Sequence, residues 1–135
     1  MAQGVEAGAV LASHVAELDK RIVGHILFSR MTIQTTRGPV SAVALAPMAV
    51  LPEHQRQGIG GKLIRHGLER LRTRGEQIVI VVGHPDYYPR FGFSSHKACC
   101  LVSPFPPEAF MAIELIPGAL DGVRGEVKYP DAFGL

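Results

Sequence analysis

The sequence predicts a mixed α/β fold in one domain over residues 1–135, with a twisted mixed sheet and a central parallel strand pair joined by one helix. An apolar run at 41–50, a glycine-rich loop, a helical apolar repeat and a second apolar run at 77–82 follow one another as in a βαβ unit. Further short apolar runs lie on both sides of this unit. A chain of 135 residues with 47% hydrophobic content suits a single core.

The chain opens with a predicted β-hairpin. Two β-branched runs at 11–16 and 21–30 are separated by the polar stretch 17–20, although that turn carries no Asn-Gly signal. Residues 34–39 form a polar turn region, and the third strand, 41–50, is apolar on both faces. It is therefore predicted to be a central strand that is covered on both sides.

Pro47 interrupts this third strand. Because proline cannot donate to a strand ladder, it is confined to sheet edges and bulges. We expect pairing to break near Met48, Ala49 and Val50 and to leave backbone groups available to a ligand. The alternative interpretation is an ordinary edge strand.

The helix and the later elements follow from periodicity and turn residues. Apolar residues at helical spacing predict a helix at 59–74 that stops at Gly75, namely Ile59, Leu63, Ile64, Gly67, Leu68 and Leu71. After the strand at 77–82 we expect a tight turn at 83–86, a short helical or turn segment at 87–92, and strands at 98–102 and 110–115. The end of the chain, 118–135, is predicted to be rich in turns.

The glycine-rich loop predicts an anion site, because a helix start presents unpaired amides and a positive dipole end. Two common nucleotide motifs are excluded. A P-loop ending at Lys62 would need glycine at Arg56 and serine or threonine at Leu63. A dinucleotide fingerprint beginning at Gly58 would need its third glycine at Leu63.

Three segments resemble motifs of the GNAT family of N-acetyltransferases. The loop Gln-Arg-Gln-Gly-Ile-Gly at 55–60 is similar to the family's Q/R-x-x-G-x-G/A signature, and 47–52 is similar to the bulged strand before it. Tyr-Pro-Arg-Phe-Gly-Phe at 88–93 is similar to its Tyr-x-x-x-Gly-Phe motif. The chain looks most like the YhbS-like bacterial subgroup.

This resemblance implies a twisted GNAT-like sheet and an N-acetyltransferase that moves the acetyl group of acetyl-CoA directly to a primary amine in a ternary complex. The resemblance also implies the residues that bind the coenzyme. The pantetheine arm is expected on the strand residues Met48, Ala49 and Val50. The pyrophosphate is expected on the loop residues Gln55, Arg56, Gln57, Gly58, Ile59, Gly60, Gly61 and Lys62.

Two catalytic candidates follow from the resemblance and from acid–base chemistry. Tyr88 occupies the position of the tyrosine that protonates the departing thiolate, with ring packing as its alternative role, and Tyr87 is predicted to be a packing residue. His84 is placed to accept the amine proton, directly or through water, or else shapes the turn before Pro85. The third strand contains no acidic residue, so a water relay is favoured over a carboxylate base.

Family members usually have a strand and two helices before the hairpin, and these are expected to be missing here, which makes the domain N-terminally short. An exposed apolar face would then favour a homo-oligomer, with a homodimer as the simplest case. The missing N-terminal elements also leave open a second hypothesis, in which the chain is a non-catalytic acetyl-CoA-binding or regulatory module. The sequence does not identify the amine acceptor.

Charge and composition indicate which other binding partners and which cell compartment to expect. A net charge of +2 does not favour nucleic acid or a membrane surface, and the N-terminal stretch is a poor signal peptide. We therefore expect a soluble, cytoplasmic protein. The adjacent cysteines Cys99 and Cys100 are predicted to be reduced strand residues, and the histidines show no metal spacing, so no metal is expected.

Overall fold

The computed structural model describes residues 10–18, 20–55 and 58–129. They contain one α-helix and two short 3₁₀ segments, which are α1 (Ile59–Thr73), Pro52–His54 and Tyr88–Phe91. They also contain seven strands: β1 (Val10–Leu18), β2 (Arg21–Thr35), β3 (Gly38–Val50), β4 (Ile78–Val82), β5 (Leu101–Val102), β6 (Phe110–Glu114) and β7 (Gly125–Lys128). No helix in this described part is long and apolar enough to cross a membrane.

All seven strands belong to one mixed sheet, in which six follow the order β5-β7-β2-β3-β4-β6 and β1 pairs with β2 outside that order. The long β2 pairs with β3 along one side, and along the other it pairs first with β1 and then, at 32–34, with β7. Strands β3 and β4 are parallel neighbours connected by α1. The predicted hairpin and central parallel pair are confirmed.

The parallel pair separates soon after it forms. In the described residues, β4 pairs with β3 only from Val43 to Leu45, whereas β2 stays paired with β3 as far as Val50. The expected break near Met48 to Val50 is therefore right for the β4 side and wrong for the β2 side. A register shift opposite Leu27 places Ala46 and Pro47 against a single β2 residue, a bulge that accommodates the proline.

Helix α1 packs on one face of the sheet. Five of the six residues that the periodicity predicts are buried, and the sixth, Ile59, is partly buried. Leu63, Ile64, Leu68 and Leu71 pack over Ile26, Phe28, Val43 and Leu45. A Cβ atom at Gly67 would overlap the Phe28 ring. Glycine is needed there because the helix lies so close to β2.

The opposite face is covered by the C-terminal third of the chain. Its buried residues include Met31, Ile33, Ala44, Ile80 and Phe110, and partly buried residues from later loops pack against them, namely Ala119, Leu120, Val123 and Tyr129. The expected exposed apolar face is thus absent from the described residues. Their large exposed apolar side chains include Val15, Ile22 and Val102.

Two predictions made from the sequence differ from the structure in this region. The strand predicted at 98–102 is only Leu101–Val102, because residues 95–100 form a turn, and Cys99 and Cys100 lie in that turn. The stretch predicted to be turn-rich contains a strand, β7. Val127 is the buried residue of β7. So short a strand depends on its partners β2 and β5 and leaves little periodic signal of its own.

Candidate functional site

A cleft opens where β3 and β4 separate. It has a volume of about 1080 Å³ and is bounded by the end of β3, the start of α1 and the segment after β4. Small-molecule pockets usually range from about 300 to 1,000 Å³. This cleft is therefore large enough for an extended ligand.

The start of α1 forms one end of the cleft. Gly58 precedes the helix in the left-handed conformation, with φ of 81°. The first bond across this boundary runs from the Lys62 amide to the Gly58 carbonyl, over 3.0 Å. The amides of Ile59, Gly60 and Gly61 therefore precede the helix's own hydrogen-bond ladder, where an anion is favoured.

The side chain of Gln55 fastens the loop to the strand before it. Its Nε2 donates to the carbonyl oxygen of Val50 over 3.0 Å. Gln55, which was predicted to bind the coenzyme, therefore also makes a structural contact. The bond holds Gln55 against the end of β3.

The structure brings most of the predicted coenzyme residues together. Seven of them line the cleft: Met48, Ala49, Val50, Gln55, Gly58, Gly60 and Gly61. Ile59 and Lys62 instead line a separate groove of about 440 Å³ beside β1. The Lys62 amide is already used inside the helix, so the set of predicted backbone donors ends at Gly61. Arg56 and Gln57 lie outside the described residues.

Tyr88 is buried at the inner wall of the cleft, with 8% of its surface exposed. Its ring makes edge contacts with Tyr87 and Phe93, with centroids 5.1 and 5.8 Å apart. A Cβ atom at Gly83 would overlap this ring, so glycine at the end of β4 lets the phenol lie against the backbone. Burial, followed by the proximity of Tyr87, raises the pKa of Tyr88 above its ordinary value.

Tyr87 also belongs to the cleft, although the sequence predicted only packing for it. A Cβ atom at Gly60 would lie 2.8 Å from the Tyr87 hydroxyl, so this hydroxyl reaches the first turn of α1. Its ring packs on Tyr88 and Phe91. Burial raises the pKa of Tyr87, against the opposing effect of two nearby guanidinium groups.

Those two guanidinium groups, Arg65 and Arg90, also line the cleft, although neither was predicted from the sequence. The Arg65 guanidinium lies 4.9 Å from the Phe91 ring centre, and that of Arg90 lies 5.6 Å from the Tyr87 ring centre. Cation–π contacts of this kind hold cations in place over aromatic faces. Helical spacing offered a signal for Arg65, which lies four residues after Gly61 and so on the same face of α1.

His84 follows β4 and lines the cleft with an exposed side chain. Its carbonyl oxygen accepts hydrogen bonds from the amides of Tyr87 and Tyr88, over 3.1 and 3.4 Å. The backbone of His84 thus shapes the turn that presents the two tyrosines. Its imidazole remains available on the cleft side.

A mixed sheet with a divergent parallel pair, and a glycine-started helix beside the gap, defines an acetyltransferase-type coenzyme fold. Residues 5–95 match the family described as "Acetyltransferase (GNAT) domain". The chain belongs to the GNAT family of N-acetyltransferases.

The similar proteins include YjhQ of Escherichia coli K12, which is named an N-acetyltransferase. It is 47% identical over 106 residues, which are 67% of this chain and 59% of YjhQ, so the match spans less than two thirds of that relative. A crystal structure of the GNAT protein YhbS from Escherichia coli in complex with CoA superposes with a TM-score of 0.86 at 31% identity, over 96% of this chain and 72% of YhbS.

A GNAT acetyltransferase from Brucella melitensis in complex with acetyl-CoA gives a TM-score of 0.76 at 37% identity. That match covers 94% of this chain and 71% of the Brucella protein. With the YhbS match, it confirms the predicted fold class over nearly the whole chain.

Proposed function

We propose that this chain transfers the acetyl group of acetyl-CoA to a primary amine, directly and in a ternary complex. The observation that carries the proposal is the single cleft that joins the bulged end of β3, the start of α1 and Tyr88. The first two segments are neighbours in sequence, Tyr88 follows only after α1 and β4, and together the three resemble three motifs of one family. The coenzyme complexes of YhbS and of the Brucella protein support the choice of ligand.

The start of α1 is the proposed seat of the pyrophosphate. Backbone amides from 59 to 61 and the positive helix end favour an anion there. Arg65 and Arg90 add two positive charges to the same cleft. Guanidinium groups form strong, charge-assisted hydrogen bonds with phosphate oxygens, so we assign them a share of the phosphate binding.

The pantetheine arm is proposed to lie along the end of β3. In the described residues β4 offers no pairing beyond Leu45, so the β4 side of Met48, Ala49 and Val50 faces the cleft instead of a strand. An extended amide-containing chain can pair with such a strand edge in place of a neighbouring strand. This placement directs the thioester towards the inner wall, where Tyr88 lies.

The acetyl transfer then needs two proton movements. The neutral amine nitrogen attacks the thioester carbonyl carbon, and collapse of the tetrahedral intermediate breaks the carbon–sulfur bond. Tyr88 donates its phenolic proton to the departing thiolate, which its raised pKa permits at neutral pH because the phenol stays protonated. His84 accepts the proton of the amine through water, in keeping with its exposed place on the cleft.

Calorimetric titration with acetyl-CoA, followed by mass spectrometry of products from an amine panel, tests the proposal. The panel contains polyamines, amino acids, aminoglycosides and peptides with free N-termini. We expect saturable binding and one acetylated class. Absence of binding would overturn the proposal, and binding without turnover across the panel would favour a coenzyme-binding regulatory module.

A further inference from the structure

Cys99 and Cys100 present two thiols side by side. In an extended strand, adjacent side chains point to opposite faces. Here residues 95–100 form a turn, and the two Sγ atoms lie 3.8 Å apart. Cys99 is exposed and Cys100 is partly exposed.

Backbone hydrogen bonds hold this arrangement in place. The Cys99 amide donates to the His96 carbonyl over 3.2 Å, and the Cys100 carbonyl accepts from the Gly125 amide over 3.3 Å. The second bond connects the turn to β7, which pairs with β2 in the sheet. The dithiol therefore has a defined geometry in the folded chain.

A disulfide between these two thiols is disfavoured by the backbone. Adjacent Cα atoms are about 3.8 Å apart across a trans peptide. Disulfides usually join Cα atoms about 4.4–6.8 Å apart. Forming a disulfide would therefore distort the turn. A larger atom could instead bond to both sulfurs while they stay apart.

A groove with both apolar and polar lining lies beside the exposed thiol, and its polar lining residues include Ser95, His96, Ser103 and Glu108. It has a volume of about 650 Å³, and Cys99 lines it together with Leu101, Phe105 and Phe110. The Phe105 and Tyr129 rings make a T-shaped contact, with centroids 5.8 Å apart. A flat organic substituent on an atom bound to the sulfurs would be accommodated there.

We propose that Cys99 and Cys100 form a preformed dithiol site for trivalent aryl arsenicals. Both S–H bonds break and two As–S bonds form. The arsenical oxygen leaves as water with the two thiol protons, so arsenic stays trivalent and no oxidant is required. The aryl group lies in the groove beside Cys99.

Titration of the whole protein with phenylarsine oxide tests this site, because the chain has only two cysteines. We expect one arsenical per chain, loss of both free thiols, and release by dithiothreitol but not by the same concentration of mercaptoethanol. Cys99→Ser and Cys100→Ser should each weaken binding by on the order of a hundredfold, since the second bond forms within one molecule. Unchanged affinity in either variant would overturn the proposal.

The melting temperature shows whether the fold preforms the site or whether the two cysteines bind only because they are adjacent in sequence. The unfolded chain carries the same neighbouring thiols, so a ligand raises Tm only if it binds the folded chain more tightly. We expect phenylarsine oxide to raise Tm, and Phe105→Ala to reduce that rise. An unchanged or lowered Tm in the wild-type protein would show that the fold does not preform the site.

Discussion

Two adjacent tyrosines lie in different parts of the cleft, and each lies close to a different glycine. Gly83 leaves space for the Tyr88 ring to lie against the end of β4, while the Tyr87 hydroxyl reaches the first turn of α1. The family motif identifies Tyr88 only. Tyr87 lies one position before that motif, so its approach to Gly60 required the folded chain.

Replacing Tyr88 with phenylalanine tests its proposed acid role. The change removes only the hydroxyl, so acetyl-CoA affinity should stay near the wild-type value, while kcat should fall by ~10²–10⁴-fold for a lost general acid. Steady-state kinetics with a productive amine give the answer, and Tyr87→Phe is the matched control. Wild-type kcat in Tyr88→Phe between pH ~6 and ~9 would return this residue to a packing role.

Arg65→Gln tests the proposed phosphate contact, and Arg70→Gln is its matched control. Both arginines are exposed on α1, but only Arg65 lines the cleft. Loss of a charge-assisted contact should weaken acetyl-CoA binding about tenfold in Arg65→Gln, with little change in the control. Calorimetry at low and high salt should show the gap between the two variants narrowing as salt rises. Equal affinities would exclude the contact.

At the scale of elements, the start of α1 is the proposed phosphate site and is also subject to a backbone constraint. Gly58 has φ of 81°, a region that side chains rarely adopt. Any replacement there costs roughly 1–2 kcal/mol, and Asn and Asp tolerate it best. A substitution at Gly58 therefore lowers stability whether or not it affects binding, so a test of binding needs two variants with the same backbone cost.

Gly58→Asp and Gly58→Asn form such a pair, because they differ mainly in one negative charge. If the pyrophosphate lies at this helix start, the carboxylate should repel it and weaken acetyl-CoA binding by about tenfold or more relative to the amide. Their melting temperatures should be similar. Isothermal titration of both folded variants decides the matter, and equal affinities would place the pyrophosphate elsewhere.

The elements that the sequence predicted well are those with a local signal. Apolar, β-branched runs marked the hairpin, an apolar run on both faces marked β3, and helical spacing marked α1 from Ile59. Strand β7 was missed because a four-residue strand is defined by its pairing with β2 and β5. Arg65 was missed because the loop motif ends at Gly60, whereas Arg65 lies further along α1 on the side that lines the cleft.

At the scale of the whole molecule, both faces of the sheet have cover from the chain's own described residues. An uncovered apolar face is therefore no longer a reason to expect association. A homo-oligomer stays a prediction, and light scattering at micromolar concentration would test it. A stable monomer would contradict it.

A groove lies between β1 and α1 and is lined by side chains of both elements. His14 projects from β1 and makes ring contacts with His66 and Phe28, with centroids 4.9 and 6.3 Å apart. Its Nε2 is buried and makes no hydrogen bond within the described residues. Glu17 and Lys62 line the same groove.

His14 should make the stability of the fold depend on pH. Burial, and then the charges of His66 and Arg70, lower the pKa of His14, so the unfolded chain takes up its proton at a higher pH than the folded chain. The free energy of unfolding should be constant with respect to this group above pH ~6.5 and should fall as pH drops below it. Urea denaturation at several pH values measures the slope.

His14→Gln is the variant that assigns this slope to one side chain. Glutamine keeps a polar group of similar reach but does not titrate, so part of the loss of stability between neutral and mildly acidic pH should disappear. His96→Gln, at an exposed position in the turn 95–100, is the control and should keep the wild-type slope. If His14→Gln retains the full slope, the proton is taken up elsewhere. The contact between β1 and α1 would then be insensitive to pH in this range.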